Sequence, residues 1–332
     1  PLLPPPPVGG GASRPYGRPA VLAALAEAAE RRLAADGIDP THLAVVHGAL
    51  DGVERSLSAW LRPGQTVAVE DPAYAAVLDL LAAMGLEPVP VAVDAEGMVP
   101  AALERALAGD VAALVATPRA HNPTGAAWTD ARAAGLAEIL AGRPDVLVVE
   151  DDHAGQAAGV EARTLTTDRE RWASVRSVSK TLGPDLRLAV LAGDGATVAR
   201  VEGRQALGPG WVSYLVQALV ARLWAEPGTS ALLERAARTY GARRQALVDE
   251  LALVGVEAPA PSGLNVWVPV REEHPVVSGL LERGWAVAPG ERFRIASPPG
   301  IRITTATLTA DESRRLAGDL AGCLSRRGGR QG

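Results

Sequence analysis

The chain has 332 residues, of which 48% are hydrophobic and 21% charged, and its formal net charge is −5. It is longer than an average domain of about 150 residues and can bury a large core, which excludes wholesale disorder. The acidic balance leaves no broad basic face for nucleic acid, the lone Cys323 excludes an intrachain disulfide scaffold, and no apolar run reaches the roughly 18 residues of a membrane helix.

The stretch from Pro1 to Pro19 is rich in Pro and Gly and reads as an extended arm with turns. It lacks the charged and apolar regions of a signal peptide, so a soluble, cytoplasmic setting is expected. Val21–Ala35 has the spacing of an amphipathic helix, with Leu22, Leu25, Ala29 and Leu33 on one face. Short apolar runs then recur at Leu43–Val46, Thr66–Val69, Val89–Val93, Ala112–Ala116, Val146–Val149, Val175–Val178 and Leu188–Leu191. Between them the spacing predicts helices over Leu50–Leu61, Ala75–Met84, Pro100–Ala108 and Thr129–Leu140. This alternation predicts an α/β fold, a mixed, mostly parallel sheet of about seven strands with helices on both faces.

After Gly193 the pattern changes. Ala196–Gln205, Trp211–Trp224 and Ser230–Val254 read as helices. Strand candidates follow at Leu264–Val270, Trp285–Ala288 and Gly300–Thr304, and a final helix at Ala310–Leu324. The expected organisation is a large domain over 40–225 and a smaller α+β domain over 226–332, with the arm and first helix, 1–39, joining the smaller one.

Of the 33 basic residues only Lys180 is a lysine; the other 32 are arginines. Arginine does not deprotonate in a protein and cannot act as an amine nucleophile, so Lys180 is a candidate for chemistry that needs an amine. Open α/β sheets bind ligands beyond the carboxyl ends of their strands. The residues found there are His47-Gly48-Ala49-Leu50, Glu70-Asp71-Pro72-Ala73-Tyr74, His121-Asn122-Pro123-Thr124-Gly125, Asp151-Asp152-His153 and Ser177-Val178-Ser179-Lys180, with Arg187 seven residues further on. Taken singly, each has a plain reading: Asp151 and Asp152 as a strand-end pair, Tyr74 as a core aromatic, Asn122 as a turn residue. Their conjunction with the only lysine and one of two asparagines points to one site.

Asn122-Pro123-Thr124-Gly125, the Asp151-Asp152 pair and Ser177 through Arg187 resemble the fold-type-I aminotransferases that use pyridoxal 5′-phosphate. Glu70 through Tyr74, Ser262 through Trp267 and Gly300 through Thr304 narrow the resemblance to the aminotransferase-like domain of MocR-type regulators in the GntR superfamily. The resemblance implies that Lys180 holds the cofactor as a Schiff base and moves the substrate proton. Asp151 is expected to pair with the pyridine nitrogen, Asn122 to donate to the phenolate oxygen, and Tyr74 to stack on the ring. Ser177, Arg187 and the Gly48, Ala49 and Leu50 amides are expected to bind the phosphate. Tyr16 resembles an arm tyrosine that reaches the neighbouring subunit's phosphate, which implies a homodimer. Arg302 is expected to clamp the substrate carboxylate, with Asn265 beside it. His153 stands where the family usually has tyrosine, and a histidine can donate the same hydrogen bond.

The resemblance implies amino-group transfer between an amino acid and a 2-oxo acid. The alternatives are a sensing domain for an amino-acid-like effector in a transcriptional regulator, or a related lyase or decarboxylase. No metal, membrane or nucleic-acid partner is expected for this segment.

Overall fold

Both faces of the central strands are apolar, as in a sheet covered on its two sides by helices. Val67 and Val69, Ala113 and Val115, and Leu147 and Val149 share one buried cluster. Ala68, Leu114, Ala116 and Val148 belong to another. A computed structural model of the protein describes Gly17 and residues 19–325.

The elements run α1 (Ala23–Ala35), β1 (Leu43–Val46), α2 (Ala49–Trp60), β2 (Thr66–Asp71), α3 (Ala75–Ala83), β3 (Glu87–Asp94), β4 (Gly97–Met98), α4 (Pro100–Leu107), β5 (Val111–Ala116) and α5 (Asp130–Ala141). Then come β6 (Leu147–Asp152), β7 (Trp172–Ser177), β8 (Ala189–Gly193), α6 (Gly195–Ala206), α7 (Tyr214–Ala225) and α8 (Pro227–Leu253). The chain continues with β9 (Asn265–Pro269), α9 (Glu273–Leu281), β10 (Ala288–Pro289), β11 (Gly300–Thr304) and α10 (Ala310–Ser325).

Eight strands form the large sheet in the order β1-β8-β7-β6-β5-β2-β3-β4. The central pairs are parallel, while β8 runs against both β1 and β7 and the short β4 against β3. The carboxyl ends of β1, β2, β5, β6 and β7 therefore lie along one edge. Helices α2 and α3 pack on one face through Val53, Leu57, Val77 and Leu81. Helices α4 and α5 pack on the other through Leu103, Leu107, Leu136 and Leu140.

Helix α1 differs from expectation. Its apolar stripe, Leu25, Ala29 and Leu33, shares a core with Val45, Val190, Ala192 and α7 rather than with the small domain. The strands at that end of the sheet need a cover, and the stripe supplies one. The small domain is the antiparallel sheet β10-β11-β9, with α8, α9 and α10 packed around Val266, Val268, Ile301 and Ile303. Among the described residues no helix is long and apolar enough to cross a membrane.

Candidate active site

Each residue singled out in the large domain falls on the strand-end edge of the sheet, or, for Arg187, at the start of the antiparallel β8. Gly48 caps α2 with φ +101°, a conformation that side chains rarely adopt. A Cβ there would lie 2.6 Å from Arg187 Nη2. The glycine is what lets the guanidinium rest on the helix N-terminus, where it donates to the His47 carbonyl at 3.4 Å. The helix end and the Arg187 fork together form an anion cradle.

Asp151 and Asp152 end β6 and point to opposite faces, as consecutive strand residues must. Asp152 accepts Arg119 Nε and Nη2 at 3.0 and 2.8 Å and Arg176 Nε at 2.9 Å. Despite burial, those two guanidinium groups hold its carboxyl far below the usual range. Asp151 is only 3% exposed, and its Oδ1 has no hydrogen-bond partner among the described residues. Burial pushes its pKa up against the opposing pull of His153, and the charges of Asp152 and Glu70 add to the rise. His153 Nδ1 lies 3.9 Å from Asp151 Oδ2.

The Asn122 loop is bound to the small domain. The Asn122–Pro123 peptide is cis. Arg302 Nη1 donates to Asn122 Oδ1 at 3.1 Å, which leaves the Asn122 amide nitrogen to donate elsewhere. Arg302 lies over the Phe293 ring at 4.9 Å, and burial lowers its pKa, with Tyr74 acting in the opposite direction and Arg292 adding to the fall. Tyr74 sits at the head of α3 with 37% of its surface exposed. Asn265 Oδ1 accepts from Thr304 Oγ1 at 3.0 Å across the β9–β11 pair, which leaves its amide nitrogen to donate elsewhere.

Lys180 is exposed in the turn after β7. Leu182 N donates to the Val178 carbonyl at 2.7 Å and Ser179 N to Ser177 Oγ at 3.1 Å, which fixes the turn around the lysine. No hydrogen bond or ion pair engages Lys180 Nζ among the described residues. Tyr16 lies outside the described residues.

These residues fit pyridoxal 5′-phosphate. Asp151 has an orphaned buried oxygen for a ring N–H, Gly48 and Arg187 have a cradle for a phosphate, and Lys180 has an unengaged amine for an aldehyde. Among the described residues no cluster of three or more His, Cys, Asp or Glu is placed to hold a metal.

The sequence alone assigns no role to Asp71, Arg119 or Arg176, and for Ser262 it hints only at a polar pocket wall. Asp71 accepts from the Ile295, Ala296 and Ser297 amides and from Ser297 Oγ, at 2.7–2.9 Å, and so ties the small domain to the end of β2. Ser262 Oγ accepts from Ala120 N and donates toward the Gly125 and Ala126 carbonyls, anchoring the Asn122 loop from the other side. The only signal for Asp71 and Ser262 was their place in quoted motifs. Nothing in the sequence distinguished Arg119 and Arg176 from thirty other arginines.

The family model for aminotransferase class I and II matches residues 11–320. The vitamin B6 salvage pathway transcriptional repressor PtsJ of Salmonella typhimurium is 41% identical over 285 residues, covering 85% of this chain and 66% of the relative. Aminotransferase tdiD of Emericella nidulans is 31% identical over 223 residues, covering 61% of this chain and 51% of the relative. The chain thus spans between half and two thirds of the length of these curated relatives. The crystal structure of Pyrococcus horikoshii kynurenine aminotransferase superposes with a TM-score of 0.85 at 21% identity, over 94% of this chain and 82% of that one, which establishes the shared fold.

Proposed function

The chain belongs to the aminotransferase class I and II family, and from that premise we propose that it binds pyridoxal 5′-phosphate on Lys180 and transfers an amino group between an amino acid and a 2-oxo acid. The observation that carries the reading is Asp151, a buried carboxylate with an orphaned oxygen, on the strand beside the one that leads to the chain's only lysine. Burying a charge without a partner is costly, and a ring N–H would supply the partner.

When bound, pyridoxal 5′-phosphate supplies an aldehyde that condenses with amines and a ring that draws electrons from a neighbouring bond. The Asp151 carboxylate would hold a proton on the ring nitrogen. Arg187, Ser177 and the Gly48, Ala49 and Leu50 amides would bind the phosphate. Tyr74 would cover the ring, and Asn122 and His153 would donate to the phenolate oxygen. Lys180 Nζ would anchor the cofactor and carry a proton to and from the substrate Cα. Arg302, with Asn265 near it, would hold the substrate carboxylate. Tyr16 would reach the phosphate of a second subunit, so the working form is a homodimer, in the cytoplasm.

A second reading is favoured by the 41% identity to a transcriptional repressor of which the chain spans 66%. In it the same site serves as the effector-sensing domain of a MocR-type regulator, binding an amino-acid-like effector without turnover.

The test is to load the protein with pyridoxal 5′-phosphate, record the visible band of lysine-bound cofactor, and add single amino acids. Bleaching of the band with release of the aminated cofactor, identified by mass spectrometry, is expected for transfer. A shifted but persistent band supports sensing. No visible band on loading would overturn both.

A further inference from the structure

A cavity of about 300 Å³ opens beside α1, between that helix, the loop after β5 and the ends of β6 and β7. Four guanidinium groups line it, those of Arg31, Arg32, Arg119 and Arg176. Two carboxylates answer them. Asp152 binds Arg119 and Arg176 as described above, and Asp36 lies 2.6 Å from Arg176 Nη1 and 3.6 Å from Arg119 Nη2. Four cations against two anions leave two positive charges in excess.

The excess sits on α1. Neither Arg31 nor Arg32 forms an ion pair among the described residues. Arg32 instead donates to Gln156 Oε1 at 3.4 Å and the Trp224 carbonyl at 3.2 Å, and lies 5.1 Å from the Trp224 ring centroid. Burial and the neighbouring charges of Arg176 and Arg31 lower its pKa, against a smaller pull from Asp36. A guanidinium keeps its proton under such pressure, so the charge calls for a counterion. Ser177 and Thr181 add hydroxyl-bearing residues to the wall.

We propose that this cavity is a second anion site, which takes a small dianion such as a phosphate monoester or a dicarboxylate. It meets the Asp151 site only at Ser177, which the proposed function also gives to the cofactor phosphate. The Asp152 and Arg176 side chains that help build it leave their strands on the face opposite Asp151, and Asp151, Asn122, Lys180 and Arg302 are not among its lining residues. Ser177 and Thr181 flank Lys180 in the chain, so an occupant would touch the turn that carries the lysine.

The test uses protein loaded with pyridoxal 5′-phosphate and reduced with borohydride, so that the cofactor's own phosphate position is filled. The visible band before reduction certifies loading, and its absence would count against the cofactor reading alone. Inorganic phosphate and succinate are titrated separately by calorimetry. Saturable binding of at least one is expected, weakened about ten-fold or more in Arg32→Gln, as for loss of a charged hydrogen bond. Gln156→Glu places a carboxylate beside Arg32 at an exposed position, and is expected to weaken binding similarly with no packing removed. Phosphate alone would identify the monoester class, and succinate alone the dicarboxylate class. Absence of saturable binding for both probes, or wild-type affinity in both variants, would overturn the proposal.

Discussion

Asp151 and Asp152 are adjacent in the chain and opposite in circumstance: Asp152 accepts hydrogen bonds from Arg119 and Arg176, and Asp151 Oδ1 accepts none among the described residues. The strand pleat sends one carboxylate to a buried ion network and the other to the face of α2. The first holds the fold, and the second is left available for a ligand.

That division predicts unlike variants. Asp152→Asn leaves two buried guanidinium groups with Asp36 as their one remaining carboxylate and should cost about 3 kcal/mol of stability. Asp151→Asn removes a buried, unpaired acid and should change the stability of the cofactor-free protein by less than about 1 kcal/mol, while weakening cofactor binding. Urea unfolding of both variants measures the contrast. An Asp151 variant as unstable as the Asp152 variant would show that Asp151 is structural.

The α/β alternation and the seven long strands of the large sheet were legible because each strand is an apolar run bounded by turns. Gly97–Met98 is too short to carry a period, and Glu273–Leu281 was hidden by its Glu-His-Pro opening, although Pro is tolerated in a first helical turn. The candidate site residues stand out in the sequence because their types and order are unusual: one lysine, two asparagines, an acidic pair at a strand end. Their partners do not. Arg302 meets Asn122 from 180 residues away, and Asp36 meets Arg119 and Arg176 only once α1 has packed on the sheet. Local spacing carries no record of such contacts.

Lys180→Arg should abolish the visible band on loading, because a guanidinium does not condense with the aldehyde. Lys180 is exposed, so stability should stay within about 0.5 kcal/mol of wild type. Absorbance spectra and thermal unfolding of the same sample measure both. A variant that kept the band would remove the lysine from its assigned role.

Arg302→Ala should weaken amino-acid binding by roughly 10- to 100-fold, the range for a lost charged hydrogen bond. It also frees Asn122 Oδ1, so the spectrum of the loaded protein should shift. Amino-acid titrations of the loaded variant supply both readouts. Unchanged amino-acid affinity would take Arg302 out of the carboxylate clamp.

Gly48→Ala places a methyl group 2.6 Å from Arg187 Nη2 at φ +101°. The guanidinium must move, and the helix cap is strained besides. Cofactor affinity should fall about ten-fold or more from the loss of one charged contact. Equilibrium dialysis against pyridoxal 5′-phosphate measures this. Inorganic phosphate competition should weaken in parallel if the two share the cradle.

Glu150 gives the fold a pH dependence of the less usual sign. Burial pushes its carboxyl up to about 7, although Leu165 N and the Thr164 hydroxyl hydrogen-bond to it. The folded state therefore holds this proton more tightly than the unfolded chain. The resulting stability is complete below the ordinary carboxylate range near 4.5 and is lost as pH rises through about 7, a swing on the order of 3 kcal/mol. Asp152 acts in the opposite sense, because its lowered pKa gives stability above the usual carboxylate range that disappears as pH falls. Glu150→Gln keeps an acceptor for Leu165 N and removes the titration. The variant should lose ground to wild type at pH 5 and gain on it at pH 8, read as the difference between their urea midpoints. A difference that stayed flat between those pH values would show that Glu150 does not titrate in that window.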